Sequence, residues 1–233
     1  MSVAWEDPRI ANGMHQQLLW RQELLAAGKK PLGWKLAFGG PAAMQRLQIQ
    51  APLVGFLMED AAVPTGSTIS LRGWIKPAAE PELTVYLGKD IYGGADRQTI
   101  IAAIAGLGAA IEIADVDHPS EDVEGTLVRN IYQRHVVFSG WDNRFAGGQL
   151  KGLRARVHHD AAELANTTDF EALTGELIRV VGHVATLLTY FGETLRAGQV
   201  IIAGSITPPI WVKAGETIGF HLEPLEPISV KFA

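Results

Sequence analysis

From residue 68 onward the chain consists mainly of short apolar or alternating runs that are separated by Gly and Pro. Runs of this length are typical of β-strands, because successive side chains of a strand point to opposite faces of a sheet. The predicted strands cover residues 68–71, 83–87, 109–113, 136–138, 200–203, 217–222 and 228–232. This pattern constrains the fold to a β-rich α+β architecture.

Helical patterns are fewer, and the clearest lies at the N-terminus. Asp7-Pro8 is a helix-start signal, an N-cap followed by Pro at the first helical position, and apolar residues then recur at helical spacing to about residue 27. We therefore expect an N-terminal helical arm at residues 1–30 and a single β-rich domain at residues 31–233. Further helices are predicted over residues 41–48, 98–107 and 176–191, whereas residues 153–170 fit either a strand or a helix.

The composition excludes several classes of function. The net charge is −5, and no basic cluster is longer than Lys29-Lys30, so no nucleic-acid or membrane partner is expected. The absence of cysteine excludes disulfides, zinc-thiolate sites and thiol nucleophiles. The acidic segment 1–7 lacks the basic start of a signal peptide, and no run of 18 apolar residues occurs, so we expect a cytoplasmic protein.

Acidic residues at strand positions are the most informative candidates for chemistry. In the extended segment Glu80-Pro81-Glu82 the two carboxylates point to the same side, and Pro81 favours the extended form. A third acid, Glu112, lies inside the apolar strand predicted over 109–113. From spacing alone, a solvated strand face is the simpler interpretation of these acids.

A shared buried position would require a different interpretation. Like charges a few ångströms apart raise the pKa of at least one carboxyl group steeply, so a divalent cation is the natural partner of three buried carboxylates. Ligation by oxygen alone, without cysteine or clustered histidine, favours Mg²⁺ or Mn²⁺ over zinc or copper.

An ordered set of motifs supports a family resemblance. The sequence resembles the fumarylacetoacetate hydrolase superfamily, and within it the branch of 2-keto-4-pentenoate hydratases and 4-oxalocrotonate decarboxylases. The matching stretches are Gly33-Trp34-Lys35-Leu36, Pro52-Leu53-Val54-Gly55 through Asp60, Lys76-Pro77 with Glu80-Pro81-Glu82, Ala110 to Asp115, and Leu195 to Glu216 with Gly204-Ser205-Ile206-Thr207-Pro208-Pro209. They follow the family's order and cover most of the chain after about residue 10.

The resemblance implies a fold, a metal site and an activity. The fold would be a mixed β-roll or sandwich with a few peripheral helices and an N-terminal helix, and residues 31–233 would form the catalytic domain. Glu80, Glu82 and Glu112 would bind Mg²⁺ or Mn²⁺, and Lys35 would be the active-site lysine. From its apolar neighbours alone, Lys35 is either drawn out of water towards an anion or exposed at a strand edge.

Four further residues are candidates for contacts with substrate or for acid–base chemistry. Asp60 occupies a position where the related hydratases also carry Asp, although a turn residue would explain it equally well. Ser205 and Thr207 lie in a Gly-flanked turn that suits contacts to a substrate carboxylate, but turn chemistry alone also accounts for them. One run of residues contacts the substrate in the family, and the corresponding residues here are Arg129-Asn130-Ile131-Tyr132. Only Asn130 is retained from the family's run.

The altered run suggests a substrate preference. Arg129 stands where the family carries an acidic residue, and an arginine there could form a bidentate pair with a second carboxylate, although most arginines are solvated loop residues. This hypothesis predicts a preference for a dicarboxylic 2-keto acid over the simple pentenoate. A second departure is Ala37-Phe38-Gly39-Gly40, which replaces a Gly-Leu-Thr-Ser-like run.

Together these features predict a metal-dependent lyase that acts on a small 2-keto acid. Hydration of a 2-oxo-4-enoate is the first expectation, and decarboxylation is the second because both reactions pass through a related enolate. A catalytically silent member that binds an active homologue is the alternative from a different class. The apolar N-terminal helix suggests a homo-oligomer.

Overall fold

The computed structural model describes residues 4–233, so the first three residues of the predicted arm lie outside the described part. Its α-helices are α1 (Pro8–Ala26), α2 (Pro41–Leu47), α3 (Arg97–Ala103), α4 (Val123–Val128) and α5 (Leu177–Tyr190). The start of α1 is as predicted, because the side chain of Asp7 accepts a hydrogen bond from the backbone of Arg9 and Pro8 fills the first turn. No helix within residues 4–233 combines the length and apolar character that crossing a membrane requires.

Residues 4–233 also form twelve strands, and the predicted β-rich α+β architecture is confirmed. They are β1 (Pro31–Ala37), β2 (Leu53–Met58), β3 (Thr68–Ile69), β4 (Pro77–Leu87), β5 (Ile104–Asp115), β6 (Gln133–Asp142), β7 (Arg154–His159), β8 (Ala162–Thr167), β9 (Val200–Ser205), β10 (Ile210–Trp211), β11 (Thr217–Glu223) and β12 (Ile228–Phe232). The ambiguous segment 153–170 contains the antiparallel hairpin of β7 and β8.

Two sheets build the body of the protein. The larger has the order β2-β1-β9-β4-β5-β6, with β10 added beside β4, and the smaller has the order β3-β12-β11-β7-β8. Strands β11 and β12 pack against β5 of the larger sheet. The backbone N–H of Val63, just beyond β2, donates to the carbonyl of Val136 in β6 at 2.9 Å. The two edges of the larger sheet therefore approach each other, and the sheet curls into a roll.

The roll carries a small apolar cluster and the acidic residues on one face. Leu57, Ala110, Val136, Val200 and Ile202 form this cluster on β2, β5, β6 and β9. Glu112 lies two residues beyond Ala110 on β5, so alternation puts its side chain on the same face. A larger apolar core, to which α1 contributes, covers the rest of the sheet. The carboxylates thus project from a sheet that is packed on both sides.

Several elements differ from the sequence expectations. The predicted helix over 98–107 is wrong beyond Ala103, where β5 begins at Ile104. A strand that is buried on both faces shows no alternation, and its apolar run resembles a buried helix. The same reason explains why β2, buried at every position, was not predicted. Strand β1 and helix α4 were also not predicted. The division into an arm at 1–30 and a domain at 31–233 stays a prediction.

Candidate active site

Three carboxylates meet on two paired strands. Glu80 and Glu82 lie on β4, Glu112 lies on β5, and Glu80 is the direct antiparallel partner of Glu112. One carboxylate oxygen from each residue lies within 4.8 Å of the others. Glu82 and Glu112 are each 1% exposed, and Glu80 is half-buried. The solvated strand face that spacing alone favoured is therefore wrong, and the three acids form one buried cluster.

Lys35 brings a positive charge into this cluster from β1. Its side chain is 1% exposed, and its ammonium group is paired with the carboxylate of Glu112. The same Nζ atom donates to the backbone carbonyl of Ile131 at 3.0 Å. Gly55 on the adjacent strand β2 makes room for this arrangement, because a Cβ atom added to it would lie 2.8 Å from Oδ1 of Asn130 and 3.0 Å from Cγ of Lys35. Lys35 is thus fixed between an acid and a carbonyl group.

The oxygen atoms of the cluster are not all satisfied by the protein. Oε2 of Glu82 accepts a hydrogen bond of 2.7 Å from the backbone of Gly204, which has a φ of 96°. Oε2 of Glu112 is buried without a hydrogen-bond partner among the described residues. A buried carboxylate oxygen without a donor is costly, so this atom needs a cation or a proton.

Burial and mutual repulsion disfavour ionisation of the cluster. Burial, with repulsion from Glu112, raises the pKa of Glu80 to about 7. Burial and the two neighbouring carboxylates raise the pKa of Glu82 well above its usual range. Burial also raises the pKa of Glu112, although Lys35 opposes this effect. Three oxygen donors with one ammonium group fit a hard divalent cation, which would offset the remaining negative charge.

These pKa shifts predict how stability depends on pH without a divalent ion. The folded protein binds protons at Glu80 and Glu82 more tightly than the unfolded chain, in which glutamate has a pKa of about 4.3. The free energy of unfolding in EDTA should therefore fall as the pH rises from about 5 to about 8. Saturating Mg²⁺ should remove most of this fall, because the cation replaces the protons.

Urea unfolding between these pH values, with EDTA and with Mg²⁺, measures the effect. As a control, the double variant Glu80→Gln/Glu82→Gln should show a flatter profile in EDTA. Wild-type stability in EDTA that is constant or rises over this range would contradict the predicted charge state of the cluster.

A cavity of about 470 Å³ opens above the carboxylates. Its lining includes Lys35, Glu80, Glu82, Ser205 and Thr207. Oγ of Ser205 donates to the carbonyl of Pro81 at 3.3 Å, whereas Oγ1 of Thr207 is buried without a hydrogen-bond partner in the described residues. Thr207 therefore offers an unused hydroxyl group to a ligand in this cavity.

Asp60 is not brought to the cavity. It lies in the turn after β2, its side chain is 54% exposed, and its carboxylate is 2.6 Å from Nζ of Lys29. The expectation that Asp60 acts as a base in the site is corrected accordingly. The alternative interpretation, in which Asp60 is a turn residue, agrees with the structure, because Asp60 follows a strand and its side chain points to solvent.

Arg129 is also placed outside the cavity. Its guanidinium group donates to the carbonyl of Gly125 at 3.1 Å and lies 3.8 Å from a carboxylate oxygen of Asp117. The side chain of Arg129 is 43% exposed, so the residue is solvated, as the alternative interpretation of the sequence stated. The predicted pairing of Arg129 with a second substrate carboxylate is therefore wrong in this structure.

Asn130 is buried but holds the backbone rather than a ligand. Its Oδ1 accepts from the N–H of Phe56 at 2.7 Å, and its Nδ2 donates to the carbonyl of Phe56 at 2.8 Å. Its backbone lies in the left-handed region with a φ of 50°, as do those of Ile131 and Tyr132. This turn directs the Ile131 carbonyl towards Lys35. The expected substrate contact of Asn130 is corrected to a positioning role.

Replacing Asn130 should therefore destabilise the fold. Asn130→Ala leaves two buried backbone groups of Phe56 without partners and places Ala at a positive φ, so we expect a loss of about 2 to 4 kcal/mol. Chemical denaturation measures this loss. The exposed Asn12 on α1 provides the control, and Asn12→Ala should change stability by less than about 0.5 kcal/mol. A similarly small effect of Asn130→Ala would contradict the positioning role.

Two features of the site had no clear signal in the sequence. The carbonyl of Ile131 contacts Lys35 across 96 positions of the chain, and a backbone acceptor leaves no trace in residue identity. Lys76 lines the cavity, yet in the sequence it belonged only to the Lys76-Pro77 motif and had no predicted role. The Lys76-Pro77 pair preceding Glu80 was the available signal.

Comparisons with known proteins identify the relatives of this chain. The profile of the Fumarylacetoacetate (FAA) hydrolase C-terminal family matches residues 36–232. A 4-oxalocrotonate decarboxylase from Pseudomonas sp is 26% identical over 204 residues, which cover 87% of this chain and 78% of the relative. A 2-hydroxyhexa-2,4-dienoate hydratase from Comamonas testosteroni is 26% identical over 212 residues, which cover 89% of this chain and 80% of the relative.

A solved structure shows the same fold. It is a 4-oxalocrotonate decarboxylase from Pseudomonas putida G7, complexed with magnesium and adipate, with a TM-score of 0.87 and 24% identity. The alignment covers 96% of this chain and 86% of that chain. The resemblance drawn from the motifs and the expected fold are confirmed. The chain belongs to the fumarylacetoacetate hydrolase C-terminal family, and its relatives include hydratases and decarboxylases.

Proposed function

We propose that the protein is a divalent-metal-dependent lyase for small 2-keto acids, with hydration of a 2-oxo-4-enoate as its reaction. The observation that carries the proposal is the cluster of three carboxylates beside a buried lysine at the base of the cavity. The similarity to a hydratase and a decarboxylase supports the substrate class. Glu80, Glu82 and Glu112 would hold the ion, with Mg²⁺ or Mn²⁺ as the candidates.

The chemistry follows from the positions of the side chains. When bound, a divalent ion supplies Lewis acidity at the 2-oxo and carboxylate oxygens of a substrate, which favours enolate formation. Lys35 would hold the substrate carboxylate or move a proton at the carbon chain, because it lines the cavity beside the carboxylates. The unpaired hydroxyl of Thr207 would donate to the same carboxylate, and Ser205 would do so by turning its hydroxyl away from the carbonyl of Pro81.

Decarboxylation is the second candidate reaction. It is favoured by the decarboxylase among the relatives and shares the enolate with hydration. The two reactions differ in whether water adds to the distal double bond or CO₂ leaves. The geometry of the acids and Lys35 serves both.

Turnover of a defined panel tests the proposal. The purified protein is incubated with Mg²⁺ and with 2-hydroxypenta-2,4-dienoate, 2-hydroxyhexa-2,4-dienoate and 4-oxalocrotonate, while dienoate absorbance and CO₂ are followed. We expect Mg²⁺-dependent loss of absorbance that EDTA stops. Absence of turnover with every substrate, in protein that binds Mg²⁺, would favour the silent binding role.

A further inference from the structure

Lys76 lies at the wall of the cavity, away from the strand positions that carry the acids. It directly precedes β4, and its Nζ lies 4.1 Å from the centroid of the Trp211 ring. Trp211 belongs to β10 and pairs with Ala78 of β4, so the ring has a fixed position relative to the lysine. Both Lys76 and Trp211 line the cavity above Glu80. A cation–π contact therefore holds this ammonium group beside the space for a ligand.

Beyond its contact with Trp211, the ammonium group of Lys76 is not neutralised by an acid of the described residues. No carboxylate of residues 4–233 forms an ion pair with its ammonium group. Asp115, which is close in the fold, accepts the backbone N–H of Lys76 at 2.8 Å instead. Arg46, a second cation that lines the cavity, already lies 3.8 Å from an oxygen of Glu121. Lys76 is thus available for an anionic ligand.

One cavity connects Lys76 with the acids, because Lys76, Glu80 and Glu82 all line it. A 2-keto acid that engages the carboxylate cluster through its oxo and carboxylate oxygens must direct its far end into the rest of the cavity. The wall there is largely apolar, with Phe38 and Pro208 among its residues. An apolar far end would leave the ammonium group of Lys76 without an anion, whereas an anionic far end would pair with it.

We infer that Lys76, held by Trp211, is a specificity-determining residue that selects 2-keto acids with a second anionic group at the distal end. The inference rests on the proposed function, because it places the 2-oxo end of the substrate at the carboxylate cluster. It replaces Arg129 as the residue expected to recognise a second carboxylate. The ligand chemistry is a 2-keto acid that carries a second carboxylate at its distal end.

Binding of unreactive analogues tests the inference without requiring turnover. Calorimetry in Mg²⁺ compares 2-oxoadipate with 2-oxohexanoate, which has the same length but lacks the distal carboxylate. Wild type should bind 2-oxoadipate more tightly, and Lys76→Met should lower this affinity by about 10-fold while changing that for 2-oxohexanoate by less than about 2-fold. Lys76→Arg should retain the preference, because its guanidinium group keeps the charge and the contact with Trp211.

The controls separate this inference from the proposed function. Lys151→Met removes an exposed lysine outside the cavity and should leave both affinities unchanged. If wild type binds both acids and Lys76→Met lowers both equally or neither, the specificity role is overturned while the proposed function stands. If wild type binds neither acid in Mg²⁺, the inference and the proposed function both fail. The 2-oxoadipate preference should also shrink in 0.5 M salt, because this lysine is exposed.

Discussion

Glu82→Gln is expected to weaken the binding of Mn²⁺ by at least about 100-fold, or about 2.8 kcal/mol. Glu82 is buried and contributes one of the three convergent carboxylates, and an amide lacks the charge that balances the cation. Loss of residues that only support metal ligands costs about 10- to 100-fold, so loss of a ligand should cost at least as much. Titration calorimetry with Mn²⁺ measures the change.

This substitution should leave the fold in place. A glutamine carbonyl can still accept the hydrogen bond that the backbone of Gly204 donates to Glu82. Removing a buried charge should also make the metal-free variant at least as stable as wild type at pH 8, which a melting curve in EDTA checks. Glu226→Gln, at an exposed acid far from the cluster, is the matched control. Equal Mn²⁺ affinity in wild type and Glu82→Gln would contradict the metal site.

Lys35→Met is expected to lower kcat/KM for the preferred 2-keto acid by roughly 10² to 10⁴. The loss follows from the position of Nζ between Glu112 and the Ile131 carbonyl at the base of the cavity, where it can hold an anion or transfer a proton. Metal affinity should stay the same or rise, because the ammonium group no longer pairs with Glu112. Steady-state kinetics and Mn²⁺ calorimetry separate the two effects.

The experiment needs a check on folding and a matched lysine. Removing Lys35 leaves the buried Glu112 without its partner, so kinetics are measured in saturating Mg²⁺. Lys29→Met removes an exposed lysine that pairs with Asp60 outside the cavity, and it should leave kcat/KM unchanged. Unchanged kinetics in Lys35→Met would show that this lysine only compensates charge.

Local rules explain part of the acidic cluster, whereas the grouping of Glu112 with Glu80 and Glu82 came from the family resemblance. Two-residue spacing on an extended strand placed Glu80 and Glu82 on one face, and the same alternation oriented Glu112. The pairing of Glu80 with Glu112 joins strands that follow each other in the chain, which is the simplest sheet connection. Burial of the cluster did not follow from spacing, because it depends on the curl of the whole sheet.

Side-chain partners across long separations could not be predicted. The ion pair of Lys35 with Glu112 spans 77 positions, and nothing near Lys35 in the sequence indicates it. Arg129 and Asn130 occupy a run that contacts substrate in the resembling family, but a left-handed turn directs Asn130 to Phe56 instead. Strand β5 was partly predicted as a helix, because complete burial removes the alternation that identifies a strand.

A crystal of the protein grown with Mn²⁺ and 2-oxoadipate tests the central claim most directly. The anomalous signal of manganese locates the ion independently of any assumption about the site. We expect one manganese ion bound by Glu80, Glu82 and Glu112, with the 2-oxo and adjacent carboxylate oxygens of the ligand also bound to it. Manganese at another position, or a ligand that occupies the cavity with no ion at the three carboxylates, would contradict the proposed metal site.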